Sequence, residues 1–373
     1  MEMKARERLL QVKNIYDHPQ TEADFIEAIR DVVNIQSEHN DFYHRLLAQK
    51  NFEPAQLKTA ADLAQVPLIH ANFFKYYVSL SIPEDQIVEH ATSSGTSGQK
   101  SQMFFDQDSW DYGQAMVKQQ FAYHGFLSNE PTNYLLYTYE PVGGSELGTA
   151  KTDQGLLQYA PVNESFFALR YNGHDHEFDF WGTLECLKSY EQQGRPVRIF
   201  GFPSFLYFTL KQMKTLKIPP LKLHPDSMTM LGGGWKGYAD QQISKMELYQ
   251  LVEEMLGFSE KNCRDGYGST EHSVPYFECA NHQFHIPIYS RLIVRDVASL
   301  APLPDGVAGF ANFITPHLLS VPGISVLMGD LVSKHPGAEC GCGISAPFMK
   351  VLGRAGTSKA KSCAIAASEL LKG

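Results

Sequence analysis

Nowhere does this sequence accumulate basic charge. Its 373 residues carry 32 Lys+Arg against 41 Asp+Glu, a formal net charge of −9, and no basic run is interleaved with aromatic residues. Binding a phosphate backbone requires a basic face, so a nucleic-acid partner is excluded. Long apolar runs are missing too: the most apolar stretch, 309–327, holds Pro316, His317, Pro322 and Gly323 and cannot form a membrane span. The N-terminus places Lys4, Arg6, Glu7 and Arg8 where a secretory apolar segment would begin, which predicts a cytoplasmic protein. Six cysteines are few for a chain of this size, so a reducing compartment without disulfide staples is expected. No internal repeat, low-complexity tract or Gly-x-Ser-x-Gly elbow is present, and the last absence argues against a hydrolase.

What is present reads as an α/β protein. Hydrophobic residues make up 43% and charged residues 20% of the chain, a balance that suits a packed domain and excludes a disordered one. The length allows one large domain, or a large domain with a smaller partner. Near the start, Thr21 is placed to cap a helix whose Phe25, Ile29, Val32 and Val33 share a face, with Tyr43, Leu46 and Leu47 extending it. Pro54 suits the first position of a second helix. Apolar runs at 134–137, 197–200 and 228–231 predict buried strands, and helical patterns cover 108–127, 204–216 and 239–256. Alternation at this spacing predicts a largely parallel sheet. From about Pro275 onward, short strands punctuated by proline and glycine predict a β-rich end with the form of a distorted barrel. Ligands in open sheets of this type bind where loops leave the carboxyl ends of the strands.

Five loops carry the chemistry. The run Thr92-Ser93-Ser94-Gly95-Thr96-Ser97-Gly98-Gln99-Lys100-Ser101 lies between apparent strands. Its glycines let backbone N–H groups approach an anion, its hydroxyls add donors and Lys100 adds charge, which together make a polyphosphate cradle; a solvated hairpin loop is the alternative. It is not a Walker loop, because Gln99 precedes Lys100 and the four-residue spacer is missing. Gly232-Gly233-Gly234-Trp235-Lys236-Gly237 formally satisfies a dinucleotide fingerprint, but the acidic residue about twenty positions on, Glu253 or Glu254, falls inside a helix, which argues against a dehydrogenase. In Tyr267-Gly268-Ser269-Thr270-Glu271 the carboxylate suits Mg²⁺ on a triphosphate. Met328-Gly329-Asp330-Leu331 and Val351-Leu352-Gly353-Arg354 offer an acceptor for ribose hydroxyls and a cation for a phosphate oxygen. Elsewhere, Cys279 and His285 with Cys340 and Cys342 form a candidate Cys₃His zinc set, buried thiols being the alternative; Cys186 and Cys263 suit a core. Aromatic density at Phe166, Phe167, Phe178, Phe180, Trp181, Phe200, Phe202 and Phe205 either lines an acyl channel or, as aromatics at such spacing more often do, forms plain core.

In their order, the loops at 93–100, 267–271, 329–331 and 353–354 resemble the motifs of the adenylate-forming superfamily of acyl- and aryl-CoA ligases, and Gly201-Phe202-Pro203-Ser204 resembles its phenylacetate-CoA ligase branch. The resemblance implies that superfamily's large domain, with mixed and parallel sheets. It also implies that Ser93, Ser94, Gly95, Thr96, Ser97, Gly98, the glycines Gly232 to Gly234, Tyr267, Gly268, Ser269, Thr270, Asp330 and Arg354 bind ATP, while Lys100 and Glu271 are catalytic and Glu271 holds Mg²⁺. Superfamily ligases continue past the Gly-Arg hinge into a mobile C-terminal domain carrying a lysine used in adenylation. Here 19 residues follow Arg354, and 356–365 stands in that domain's place. This combination resembles the acyl-protein synthetase family of bacterial bioluminescence over essentially the whole chain. The expected organisation is a large domain over 1–353, helical from 1 to 66, with a hinge and acyl-carrying tail over 354–373. By resemblance, ATP activates a long-chain fatty acid and the acyl group passes to Cys363. Lys359 and Lys361 flank that cysteine, favour its thiolate and are candidates for the displaced lysine's role. Implied partners are the acyl reductase of a fatty acid reductase complex and an acyl-transferase or thioesterase subunit. An aryl- or acyl-CoA ligase that does not need Cys363, and a non-catalytic nucleotide-binding regulatory module, are the other readings.

Overall fold

A computed structural model describes residues 3–93, 100–142, 155, 157–235 and 237–355. These fall into two units interleaved in sequence: the first takes residues up to 120, 268–276 and from 283 on, and the second takes 121–267 and 277–282. No helix among the described residues is long and apolar enough to cross a membrane.

The first unit begins with helices. Asp17, rather than Thr21, caps the helix His18–His39, accepting a hydrogen bond from the Gln20 amide at 3.1 Å. Thr21 is inside the helix and buried, its hydroxyl donating back to the Asp17 carbonyl at 2.9 Å. Phe25, Ile29, Val32 and Val33 share the buried face as the spacing predicts. The helix does not run on through Tyr43. Asn40 is extended (φ −136°, ψ 104°) and caps a new helix, Asp41–Gln49, while its side-chain amide donates to Ser79, Leu80 and Ser81 at 3.1–3.2 Å. Those tertiary hydrogen bonds outweigh the continuity of the apolar pattern. Pro54 opens only a 3₁₀ turn, Pro54–Gln56.

The strands are, in chain order, β1 (Ile69–His70), β2 (Glu89–Thr92), β3 (Gln102–Phe105), β4 (Thr132–Tyr139) and β5 (Val162–Tyr171). There follow β6 (His176–Phe178), β7 (Val197–Gly201), β8 (Met228–Leu231), β9 (Cys263–Tyr267) and β10 (Tyr276–Phe277). The last are β11 (Phe284–His285), β12 (Arg291–Arg295), β13 (Ala308–Ile314), β14 (Ser325–His335) and β15 (Phe348–Arg354). In the first unit a sheet runs β11-β15-β14-β13-β12, antiparallel along this path, with β1 parallel to β14. Its path has two ends, so the β-rich region is an open sheet among the described residues rather than a distorted barrel. The eleven-residue β14 is its organiser, pairing with β13, β1 and β15. Antiparallel β2 and β3 form a separate hairpin.

The second unit carries the alternating pattern. Its sheet runs β10-β9-β8-β7-β4-β5-β6, with β9, β8, β7, β4 and β5 parallel. Helices Phe180–Gln193, Pro203–Thr215 and Lys245–Leu256 connect the strands from β6 to β9. The third starts at 245 rather than 239 because Ser244 caps it, with Glu247 completing a capping box. Strands buried on both faces explain the short unbroken apolar runs: Leu135, Ile199 and Leu231 join Leu206, Leu210 and Val252 in one core. Phe202 and Phe205 belong to it, and Phe166, Phe178 and Phe180 pack against it. Phe202 and Phe205 are therefore core, Phe166, Phe178 and Phe180 border it half-buried, and Trp181 is exposed.

Candidate active site

The β2–β3 hairpin positions the first loop. Beyond its last ladder pair, Thr92 and Gln102, Ser93 donates its N–H to the Ser101 carbonyl at 3.0 Å, and the Ser101 N–H donates to Ser93 Oγ at 2.9 Å. This reciprocal pair closes the neck of the loop and leaves Lys100 exposed beside it. Ser94, Gly95, Thr96, Ser97, Gly98 and Gln99 lie outside the described residues, as do Lys359, Lys361 and Cys363.

Glu271 is set by a tight turn. The Ser273 N–H donates to the Ser269 carbonyl at 2.9 Å, the His272 N–H to Ser269 Oγ at 3.3 Å and the Ser273 hydroxyl to the Thr270 carbonyl at 2.6 Å. Ser273 takes a left-handed backbone (φ 59°) to complete the turn. The Glu271 side chain is buried and accepts a hydrogen bond from the fully buried Ser101 hydroxyl. Behind it, His272 Nε2 lies 2.7 Å from the Tyr276 hydroxyl, which lies 2.6 Å from Ser290 Oγ, and the imidazole stacks on Phe313. Burial holds His272 well below the ordinary histidine pKa, so its ring is neutral.

Ser269 also reaches Met328 Sδ at 3.7 Å, which sets this turn beside β14. Two residues on, Asp330 is buried and opposite Arg354 in the β14–β15 ladder, with Arg354 Nε 3.2 Å from Asp330 Oδ1. The pairing follows from a bulge after Leu331; Gly353 occupies φ 144°, a backbone that favours glycine. Within the first unit, then, Ser93, Lys100, Ser269, Glu271, Asp330 and Arg354 come from two hairpins and one turn tied to each other by these contacts.

In the second unit, the Gly232-Gly233-Gly234 loop leaves the carboxyl end of β8 and Tyr267 ends the adjacent β9. Gly233 and Gly234 have φ near +70°, and a 3₁₀ turn at Ala239–Gln241, rather than an α-helix, follows. Glu253 and Glu254 are inside the helix Lys245–Leu256, so the loop lacks both the helix N-terminus and the acidic partner of a dinucleotide site. The chain carries the third motif from Tyr267 straight into Gly268 to Glu271.

In the first unit, His285, Cys340 and Cys342 offer ligand atoms that lie within 4.8 Å of one another, while Cys279 belongs to the second unit. Gly341 and Gly343, at φ 72° and 89°, let the Cys340–Cys342 turn fold tightly. His285 donates its Nδ1–H to the Ala346 carbonyl at 2.7 Å and turns Nε2 to Cys342 Sγ at 3.2 Å. A backbone carbonyl that fixes the tautomer is how metal-binding histidines are held. Cys186 and Cys263 differ: they pack in the core, where burial pushes both thiols up to about 12. None of the described cysteines is in a disulfide.

The residues missed by the sequence reading are buried polar ones. Ser101 closes the first loop yet carries no motif of its own. Glu278, fully buried, accepts from Lys245 Nζ at 2.5 Å, from the Tyr249 hydroxyl at 2.9 Å and from the Asp265 N–H at 2.9 Å. Asp265 sits at 3.3 Å from the same lysine, and burial pushes its carboxyl up to about 6. This network holds the end of β9, two residues ahead of Tyr267.

The mostly parallel sheet of the second unit and the antiparallel sheet of the first are the fold of adenylate-forming ligases. The structure of 2-hydroxyisobutyryl-CoA ligase in complex with 2-HIB-AMP and CoA is similar, with a TM-score of 0.66 at 16% identity over 92% of this chain and 76% of that one. A long-chain-fatty-acid-CoA ligase from Archaeoglobus fulgidus gives a TM-score of 0.50 at 14% identity over 74% and 53%.

The chain belongs to the acyl-protein synthetase (LuxE) family of ligases, whose family model matches residues 17–372. Among curated proteins it is 25% identical over 319 residues to the long-chain-fatty-acid–luciferin-component ligase of Vibrio harveyi, covering 83% of this chain and 79% of that one. The Aliivibrio fischeri protein of the same name is 22% identical over 275 residues, 70% and 68% of the two chains.

Proposed function

We propose that this protein activates a long-chain fatty acid with ATP and carries the acyl group as a thioester on Cys363, for delivery to an acyl reductase that makes the aldehyde used in luminescence. The observation that carries this reading is the family match over 17–372, a span that includes both the adenylation motifs and Cys363.

A fatty carboxylate does not react with thiols because oxide is a poor leaving group. Its oxygen attacks the α-phosphorus of ATP, the bond to the β-phosphate oxygen breaks, and pyrophosphate leaves. Ser93 to Gly98 and Lys100 hold the phosphates, Asp330 accepts the ribose hydroxyls with Arg354 alongside, and Tyr267 to Thr270 with Gly232 to Gly234 border the nucleoside. Glu271 fits a hard divalent cation, being a carboxylate held in place by its own turn and by Ser101. Mg²⁺ bound there supplies neutralisation of phosphate charge. The Cys363 thiolate, favoured by Lys359 and Lys361, then attacks the acyl carbon and AMP departs. We further assign Cys279, His285, Cys340 and Cys342 as a zinc site of structural type, on the strength of their donor set.

Incubation with ATP, Mg²⁺ and radiolabelled tetradecanoic acid, followed by hydroxylamine, tests the reading. The chain is expected to acquire a hydroxylamine-labile label that Cys363→Ser abolishes while fatty-acid-dependent ATP–pyrophosphate exchange persists. Formation of soluble acyl-CoA instead, a stable thioester on the Ser variant, or no product with reductase present, overturns it.

A further inference from the structure

The reading of Glu271 as the cation-binding carboxylate leaves open what aims it, and the inference rests on that reading. Glu271 lies 170 residues along the chain from the first loop, so its alignment with the phosphates is a tertiary matter. Its main chain is set by the Ser269–Ser273 turn. Its side chain is held by one group among the described residues, the Ser101 hydroxyl on Oε1; Oε2 takes no hydrogen bond from them.

Ser101 is unusually constrained for a residue next to a loop. It has no exposure, and both its backbone N–H and its carbonyl are committed to Ser93 across the loop neck, at 2.9 and 3.0 Å. The hydroxyl therefore has a fixed origin, and its only proton goes to the carboxylate. A carboxylate held this way keeps one oxygen occupied and the other aimed, with no reorganisation when a cation arrives. We propose that Ser101 is a positioning residue: it bolts the Glu271 carboxylate to the neck of the phosphate loop, so that cation and phosphates are registered by a single hydroxyl.

The test is Mn²⁺ binding to the full chain in the presence of a non-hydrolysable ATP analogue, followed by electron paramagnetic resonance, with thermal melting to verify folding. Ser101→Ala is expected to weaken Mn²⁺ binding about tenfold, the lower end of what a hydrogen bond to a charged group is worth. On a Glu271→Gln background the same substitution is expected to change nothing further, because the serine acts only through that carboxylate. Should S101A fail to fold, S101C fills the same space with a poorer donor and must weaken Mn²⁺ likewise. A folded Ser101 variant that binds Mn²⁺ as the unaltered chain does, or one whose loss persists in full on E271Q, overturns the proposal. If E271Q alone leaves Mn²⁺ binding unchanged, it is instead the assignment of Glu271 that fails.

Discussion

Replacing Lys245 by methionine strands a buried charge, and the structure sets the size of the penalty. Glu278 has no solvent exposure and depends on Lys245 Nζ at 2.5 Å, with Asp265 sharing that cation at 3.3 Å. Burial alone would raise the Glu278 pKa, yet the His282 ring 3.8 Å away and hydrogen bonds from Lys245 and Tyr249 hold it below the ordinary value. Removing one partner of a buried pair typically costs about 3–5 kcal/mol. The Lys245 side chain is 37% exposed, so water screens part of the pair and about 3 kcal/mol is expected for K245M. Adding E278Q removes the stranded charge and turns an amide N–H toward Asp265, so the double variant is expected to recover part of the loss. E278Q alone points that N–H at the ammonium and should also destabilise. Urea unfolding of the three variants, followed by tyrosine and tryptophan fluorescence, measures the coupling. A loss below about 1 kcal/mol for K245M, or a double variant worse than the sum of the singles, refutes the account.

Two further outcomes follow from the described residues. Purified chain is expected to contain about one equivalent of zinc by elemental analysis, retained in unaltered protein and lost in C340S; finding no metal in folded, unaltered protein overturns the zinc assignment. Burial pushes His317 down to about 4, while its Nε2 is 2.8 Å from the Ser109 carbonyl. Between about pH 4 and 6.5 the unfolded chain takes up a proton that the native ring refuses. Stability therefore falls on acidification across this window, by up to about 1.4 kcal/mol per pH unit from this residue. The drop in melting temperature between pH 6.5 and 5 should be smaller in H317Q, and an equal drop in both proteins contradicts the assignment.

Much of the second unit was legible because its physics is local and repetitive. Strands at 134–137, 197–200 and 228–231 are buried on both faces, so they appear as unbroken apolar runs between helical patterns. Errors came where a polar group found a distant partner. Asn40 ended a helix because Ser79, Leu80 and Ser81 accept from it, and nothing near Asn40 in sequence announces those acceptors. The aromatic residues near 178–205 read more readily as core than as channel, and packing puts Phe202 and Phe205 in the core while Trp181 is exposed.

The sequence by itself offered Ser93, Lys100, Gly232, Tyr267, Glu271, Asp330 and Arg354 as candidate site residues, through their types and through a motif order that resembles the adenylate-forming ligases. It likewise offered Cys279, His285, Cys340 and Cys342 as a candidate donor set, with buried thiols as the alternative. Tertiary structure alone decided which of these groups meet. Ser101 donates to Glu271, Asp330 pairs with Arg354 through a bulged ladder, and Ser269 touches Met328. Each contact joins elements distant in the chain, and its geometry is fixed by strand register and burial, which no local run of residues encodes.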